Sequence, residues 1–219
     1  MVTVYNALNA FLLVYAALFP IVNPIGGAPL FLALTRGVSE AERGKLAFGI
    51  ARNSFLLLLG SLFVGSHVLV FFGITLPVVR IAGGVVVAAF AWQLLHSGVE
   101  PDGARSEAAA KPGLPVDAFY PLTMPLTVGP GSISVAITLG SQRSVSPGWT
   151  ELAVSGGAAV AGLAAIALTV YVCYRFAEDI VRLLGERGTS VMIRLSAFIL
   201  LCIGIQIVWN GYQALIAAG

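Results

Sequence analysis

Charge is what this chain has least of. Charged residues make up 10% of 219 positions, as 12 Lys+Arg and 10 Asp+Glu with a formal net charge of +2. A soluble domain carries about 25% charged residues, so these are too few to coat a water-facing surface of this size. That excludes a soluble globular enzyme and a disordered chain. It also excludes a nucleic-acid binder, because no basic footprint for phosphate backbones exists. Cysteine is scarce too. Cys173 and Cys202 lie in apolar runs with no Cys or His at metal-ligand spacing, and they read as small buried hydrophobes rather than a disulfide or metal pair. No Lys or Arg precedes the apolar run from Ala7 to Phe19, so that run reads as a first membrane span and not as a secretory leader.

Several chemical signatures are also missing. There is no Walker motif, no H-E-x-x-H and no pair of membrane aspartates, which removes ATP-driven transport by this chain alone and the familiar intramembrane proteases. A serine hydrolase at Ser132 would have only His67 or His96 as a base, and these lie toward opposite membrane faces. No enzyme, no metal and no cofactor is expected. No Asp or Glu falls centrally in an apolar stretch, so the buried carboxylate relay common in pumps is absent.

What is present is hydrophobicity: 58% of residues, with a mean hydropathy of +0.94. Six apolar stretches lie at roughly 5–35, 46–72, 75–96, 118–140, 150–175 and 190–216. Each can cross a hydrocarbon core about 30 Å thick. The runs are continuous rather than alternating, so helices are expected and a membrane barrel is not. The segment Ser97 to Asp117 is polar and rich in Ala, Pro and Gly, as befits a flexible linker. The expected organisation is one membrane domain with a first three-helix repeat at 1–97, a linker at 98–117 and a second three-helix repeat at 118–219. Ten of the twelve basic residues flank the first, third and fifth connections; Arg80 and Arg143 alone fall on the other side. The positive-inside rule then places the linker in the cytoplasm and both termini outside an inner (plasma) membrane.

The halves echo each other. Phe19-Pro20-Ile21-Val22-Asn23-Pro24-Ile25-Gly26-Gly27 in the first stretch corresponds to Met124-Pro125-Leu126-Thr127-Val128-Gly129-Pro130-Gly131-Ser132 in the fourth, where Pro20 and Gly26 match Pro125 and Gly131 without a gap. Arg80-Ile81 and Arg194-Leu195, and Gln93 and Gln206, echo more weakly in the third and sixth. Three spans per half is an odd number, so the second copy enters the membrane inverted. The expected fold is all-α: a polytopic membrane protein of six transmembrane helices in two inverted three-helix repeats, the first helix of each repeat broken.

Proline removes a backbone donor and clashes with the preceding turn, and glycine takes conformations closed to other residues. Asn23, Pro24, Gly26 and Gly27 should stop one helix near Val22 and start another near Ala28. Gly129, Pro130 and Gly131 should do the same between Val128 and Ser132. Two broken helices in equivalent places of inverted halves point to a transporter's binding site. The new helix N-termini, at about Gly27 and Ser132, suit a carboxylate. Carbonyls near Val22 and Val128 could accept an ammonium, so the substrate read from the breaks is a zwitterion such as a small amino acid. Thr127 and Ser132 flank the second break and either contact substrate or bond their own helix; Ser132 is also placed to cap N–H groups two or three residues on. Asn23 either meets a ligand or caps the half-helix after Pro24. Arg52 reads as a snorkelling side chain or an inward gate, and His67 as an interfacial histidine or a site of proton coupling. Any coupling ion, proton or sodium, is left open, as is homo-oligomerisation.

At Asn23-Pro24-Ile25-Gly26 with Pro29-Leu30-Phe31-Leu32-Ala33-Leu34-Thr35, and at Pro121-Leu122-Thr123-Met124-Pro125-Leu126 with Gly129-Pro130-Gly131-Ser132-Ile133, the chain resembles the MarC family. Arg80-Ile81-Ala82-Gly83-Gly84 and Gln206 before Gly211 add to the resemblance. It covers essentially the whole chain and implies a six-helix inner-membrane protein; some members are associated with transport of glycine and alanine. The expected function is therefore a secondary transporter of small neutral amino acids working by alternating access. A channel or exporter for another small solute, or a regulatory membrane protein, is the alternative.

Overall fold

The computed structural model describes residues 2–35, 37–97, 117–141 and 149–217. The expected linker at 98–117 lies outside these except for Asp117, as do Arg105, Lys111 and Arg143. The described chain is helical, with one isolated bridge between Asp117 and Pro121. The helices are α1 (Val2–Val22), α2 (Pro24–Leu34), α3 (Glu40–Phe71), α4 (Leu76–Ser97), α5 (Pro130–Ser141), α6 (Trp149–Arg175) and α7 (Ala177–Ile216), with a π-helical turn at Leu122–Thr127 before α5.

Among the described residues five segments are long and apolar enough to cross a membrane: Tyr5–Leu32, Glu40–Phe71, Leu76–Gln93, Ala153–Arg175 and Ser190–Ile216. The fourth apolar stretch, expected as a helix broken between Val128 and Ser132, is broken more extensively. Met124 (φ −119°, ψ 121°) interrupts the π-helical turn, Val128 is extended, and only α5 is α-helical. Pro125 and Pro130 each lack an N–H donor, and Gly129 beside Pro130 adds the high backbone freedom that disfavours a helix, so no longer helix forms.

The ends of α3 and α7 also extend past the expected bounds. Ser39 caps α3: its hydroxyl accepts from the Glu42 N–H while Glu42 returns a bond to the Ser39 N–H. This capping box moves the helix start to Glu40, so Arg52 sits about 18 Å along α3 rather than the 9 Å that a start at 46 implies. Residues 177–189, expected as a loop holding Glu178, Asp179 and Glu186, are helical apart from Gly185 (φ 65°). Glu178 and Asp179 in the first turn suit the positive end of the helix, and Gly185 takes a left-handed kink that a side chain would oppose.

In hydrocarbon, helices are not driven together by exclusion from water, so small residues and interhelical hydrogen bonds do the packing. The longest contact runs between α4 and α7, antiparallel. A Cβ at Gly84 would stand 2.7 Å from the Gly204 carbonyl oxygen, and Gly211 lies against Arg80 and Ile81. Both helices need glycine here because backbone meets backbone. Helix α1 lies along α6, where Tyr15 Oη is 3.2 Å from Thr169 Oγ1 and Gly162 approaches Phe11 and Val14. Helix α3 packs on α6 and on α5, α4 on α5, and α2 on α7 and α6. A Cβ on Gly157 would meet nothing within 4 Å, so that glycine of α6 is not at a close helix contact. A core of Leu18, Phe31, Ile50, Leu122, Leu163 and Tyr174 fills the space between α1, α2, α3, α6 and the π-helical turn. On one face, Arg43 pairs with Glu178 and Arg175 with Glu40 at 3.0 Å, joining the first turn of α3 to the α6–α7 corner.

Candidate functional site

The two breaks resolve into different structures. At the first, a single residue separates two helices. Asn23 is left-handed (φ 45°, ψ 57°) and is the one described non-glycine with positive φ. Its short amide tolerates that region where most side chains do not. Its Oδ1 accepts from Gly26 N at 3.2 Å, and its carbonyl accepts from Gly27 N at 2.9 Å. The capping role holds, and α2 starts at Pro24, earlier than the Gly27–Ala28 expected. Pro24 opens α2, where its missing N–H costs nothing. Gly26 and Gly27 are helical, so they are not the flexible points; they are needed for close approach. A Cβ on Gly26 would stand 2.6 Å from Ser196 Oγ, and one on Gly27 would stand 2.5 Å from Tyr174 Oη.

The second break is wider and uncapped. Val128 and Gly129 separate the π-helical turn from α5, which begins at Pro130 rather than Ser132. Glycine at the capping position offers no side chain to the first-turn donors, Gly131 N–H and Ser132 N–H, which have no acceptor inside their own helix. Ser132 does not cap as expected: lying inside the first turn, its hydroxyl points back and donates to the Gly129 carbonyl at 2.9 Å. Thr127 donates to the Leu122 carbonyl at 2.8 Å and lies 2.9 Å from Tyr174 Oη.

A cleft of about 400 Å³ opens beside this break. Thr127, Gly129, Pro130, Gly131 and Ser132 all line it, together with Leu126. The facing wall is α4 from Val85 to Gln93, and Ile21 and Leu200 complete it. Toward the start of α4 the cleft is sealed: Gly83 packs on Ser134 and the Pro130 carbonyl, and Arg80 Nε donates to Thr138 Oγ1 at 3.2 Å. Asn23, Pro24, Gly26 and Gly27 lie outside the lining, with the last three buried. Arg52 and His67 are exposed on α3 and do not line it.

Tyr174 was not among the residues singled out in the sequence. It is fully buried, stacks on Phe31 with ring centroids 4.7 Å apart, and lies against Gly27 of α2 and Thr127 beside the second break. Beside Arg175 at the end of an apolar run, it carries the signal of an interfacial aromatic, and nothing local marks it otherwise. The wall of α4 carries one visible sign, Gln93 in an apolar run. Among the described residues no cluster of His, Cys, Asp or Glu could hold a metal ion.

A helical bundle with five candidate spans and a backbone break beside a cleft is a polytopic integral membrane protein. Residues 8–216 match the MarC family of integral membrane proteins, and the chain belongs to that family. It is similar to the inner membrane protein MarC of Salmonella paratyphi A, 32% identical over 205 residues covering 91% of this chain and 92% of the relative. The inner membrane protein MarC of Citrobacter koseri is 32% identical over 208 residues, covering 91% and 92%. A membrane protein of Buchnera aphidicola is 30% identical over 204 residues, covering 93% and 92%. No solved structure matches the chain.

Proposed function

We propose that this chain is a secondary transporter of small neutral amino acids, of the glycine and alanine type, that binds its substrate at the uncapped second break. The cleft beside α5 carries the reading. Its volume falls in the range of small-molecule sites, roughly 300–1,000 Å³, and Gly131 and Ser132 line it, residues of a helix start whose first-turn N–H groups suit a carboxylate. Gln93 and the Thr127 and Ser132 hydroxyls supply the remaining polarity of the wall. The reading includes no catalytic step and no cofactor.

The six-span inverted repeat is part of the proposal. Ala118 packs beside Gly49 and Gly140 beside Leu62, so the broken segment follows α3 for about 20 Å of a core about 30 Å thick, which supports reading it as a sixth pass. The helix pairings exchange between halves when α2 is matched with α5: α2 with α6 answers α5 with α3, and α2 with α7 answers α5 with α4. Location in an inner membrane follows the relatives' names. Cytoplasmic placement of the linker and outward termini rest on the placement of basic residues. Purified protein in liposomes should take up or exchange labelled glycine or alanine, with arms under a proton gradient, a sodium gradient and neither. Silence in uptake, in counterflow and in ligand-dependent thermal shift across a panel of neutral amino acids would overturn the substrate reading.

A further inference from the structure

Tyr174 joins the two breaks through a single oxygen. Its side chain is fully buried, the largest among the described residues to be so. Thr127 has one hydroxyl proton and directs it to the Leu122 carbonyl at 2.8 Å. A carbonyl only accepts, so the second contact of Thr127, at 2.9 Å, has Tyr174 O–H as its donor. The same oxygen rests against the α-carbon of Gly27, close enough that a Cβ there would stand 2.5 Å away. One turn further along α2, Phe31 stacks on the ring at an interplanar angle of 9°. The tyrosine is thus clamped to α2 by its ring and to the wall of the cleft by its hydroxyl. Thr127 in turn lines the cleft.

We propose that Tyr174 is the positioning residue of the cleft: its hydroxyl holds Thr127, and with it the second break, in register with α2. The inference rests on the transport reading for what the cleft binds, but not for the mechanical link itself. Movement of the break away from α2 must part the Tyr174–Thr127 bond, so its loss favours the displaced wall. One neutral hydrogen bond shifts such an equilibrium by about two- to tenfold.

The test places a reporter on the moving wall. Leu126→Cys, in a chain with Cys173→Ala and Cys202→Ala, is labelled in liposomes with a methanethiosulfonate reagent. Tyr174→Phe keeps the ring and removes the hydroxyl, Thr127→Val removes the acceptor, and Thr127→Ser keeps it. Tyr174→Phe and Thr127→Val should each speed labelling about two- to tenfold. The double variant should match either single, and Thr127→Ser should label at the parent rate. Unchanged labelling in Tyr174→Phe, even with a lowered melting temperature, overturns the proposal, because packing alone would then account for the residue. Multiplying effects in the double variant, or Thr127→Ser behaving as Thr127→Val, overturns it as well. Glycine and alanine uptake by the parent chain is measured in parallel. Its absence would remove the transport reading and leave the labelling result standing.

Discussion

Gly131→Ala is the most informative small change at the second break. A Cβ built on Gly131 overlaps Val87 Cγ2, while the next atoms, Val87 Cβ and the Gly83 carbonyl oxygen, stand at 3.4 and 3.6 Å. One methyl group is therefore the whole obstruction. Val87 is β-branched and has one strongly preferred rotamer in a helix, so turning it aside costs about 0.5–1.5 kcal/mol. Alanine recovers up to about 1 kcal/mol of helix propensity over glycine, less at a first-turn position. Forced packing in a filled site costs about 1–3 kcal/mol, and a net loss of about 1–2 kcal/mol is expected. Val87→Ala alone removes the same methyl and leaves a void, costing about 1–2 kcal/mol. In the double variant the new methyl occupies the space that the old one vacated. The two losses should then fall short of additivity by at least about 1 kcal/mol. Reversible unfolding by SDS titration in mixed micelles measures all four corners of the cycle. Losses that add to within about 0.5 kcal/mol would refute the stated contact.

The first break gives a ranking. Asn23→Gly keeps the left-handed conformation and loses the cap, costing a few tenths to about 1 kcal/mol, whereas Asn23→Ala adds about 1–2 kcal/mol of left-handed strain; melting temperatures should fall in the order Asn, Gly, Ala. At Gly204 a Cβ would stand 2.6 Å from the Ala88 backbone nitrogen, so Gly204→Ala should destabilise by about 1–3 kcal/mol with no side-chain rescue, while Gly60→Ala, with nothing within 4 Å, should be neutral or raise stability by up to about 1 kcal/mol in the same titration. The ion pairs should separate by burial: Arg43 is 12% exposed and also bonds the Val38 carbonyl, so Arg43→Ala should lower the melting temperature more than Glu178→Gln, whose partner-side loss is under about 1 kcal/mol at 59% exposure.

The sequence was most legible where a rule involves a single helix. Apolar length located the five candidate spans to within a few residues, the start of α3 apart, and the Pro-Gly clusters located both interruptions. The ends of α3 and α7 escaped because hydropathy alone marks where a helix leaves hydrocarbon, not where it stops; Ser39 and Glu42 continue α3 into the polar region. The roles of Gly26 and Gly27 escaped for another reason. Their freedom of φ is local and visible, but the demand on them comes from Ser196 and Tyr174, far along the chain. The difference between Asn23 and Gly129 was visible as a missing amide, and it became a capped and an uncapped helix start. What could not be read was which face of α4 borders the second break, since α4 is apolar all round and has no polar stripe to orient it.

The Gly84–Gly204 contact has a consequence for movement. Most helix pairs interlock as ridges in grooves, and turning one against the other forces side chains through new rotamers. Between α4 and α7 the contact at Gly84 and Gly204 is nearly all backbone, with Val208 Cγ2 the one side chain among the nearest atoms. One helix can roll on the other there like an axle in a bearing, with a single tooth to pass. Adding a methyl at either glycine changes the clearance of that bearing and not the shape of any wall.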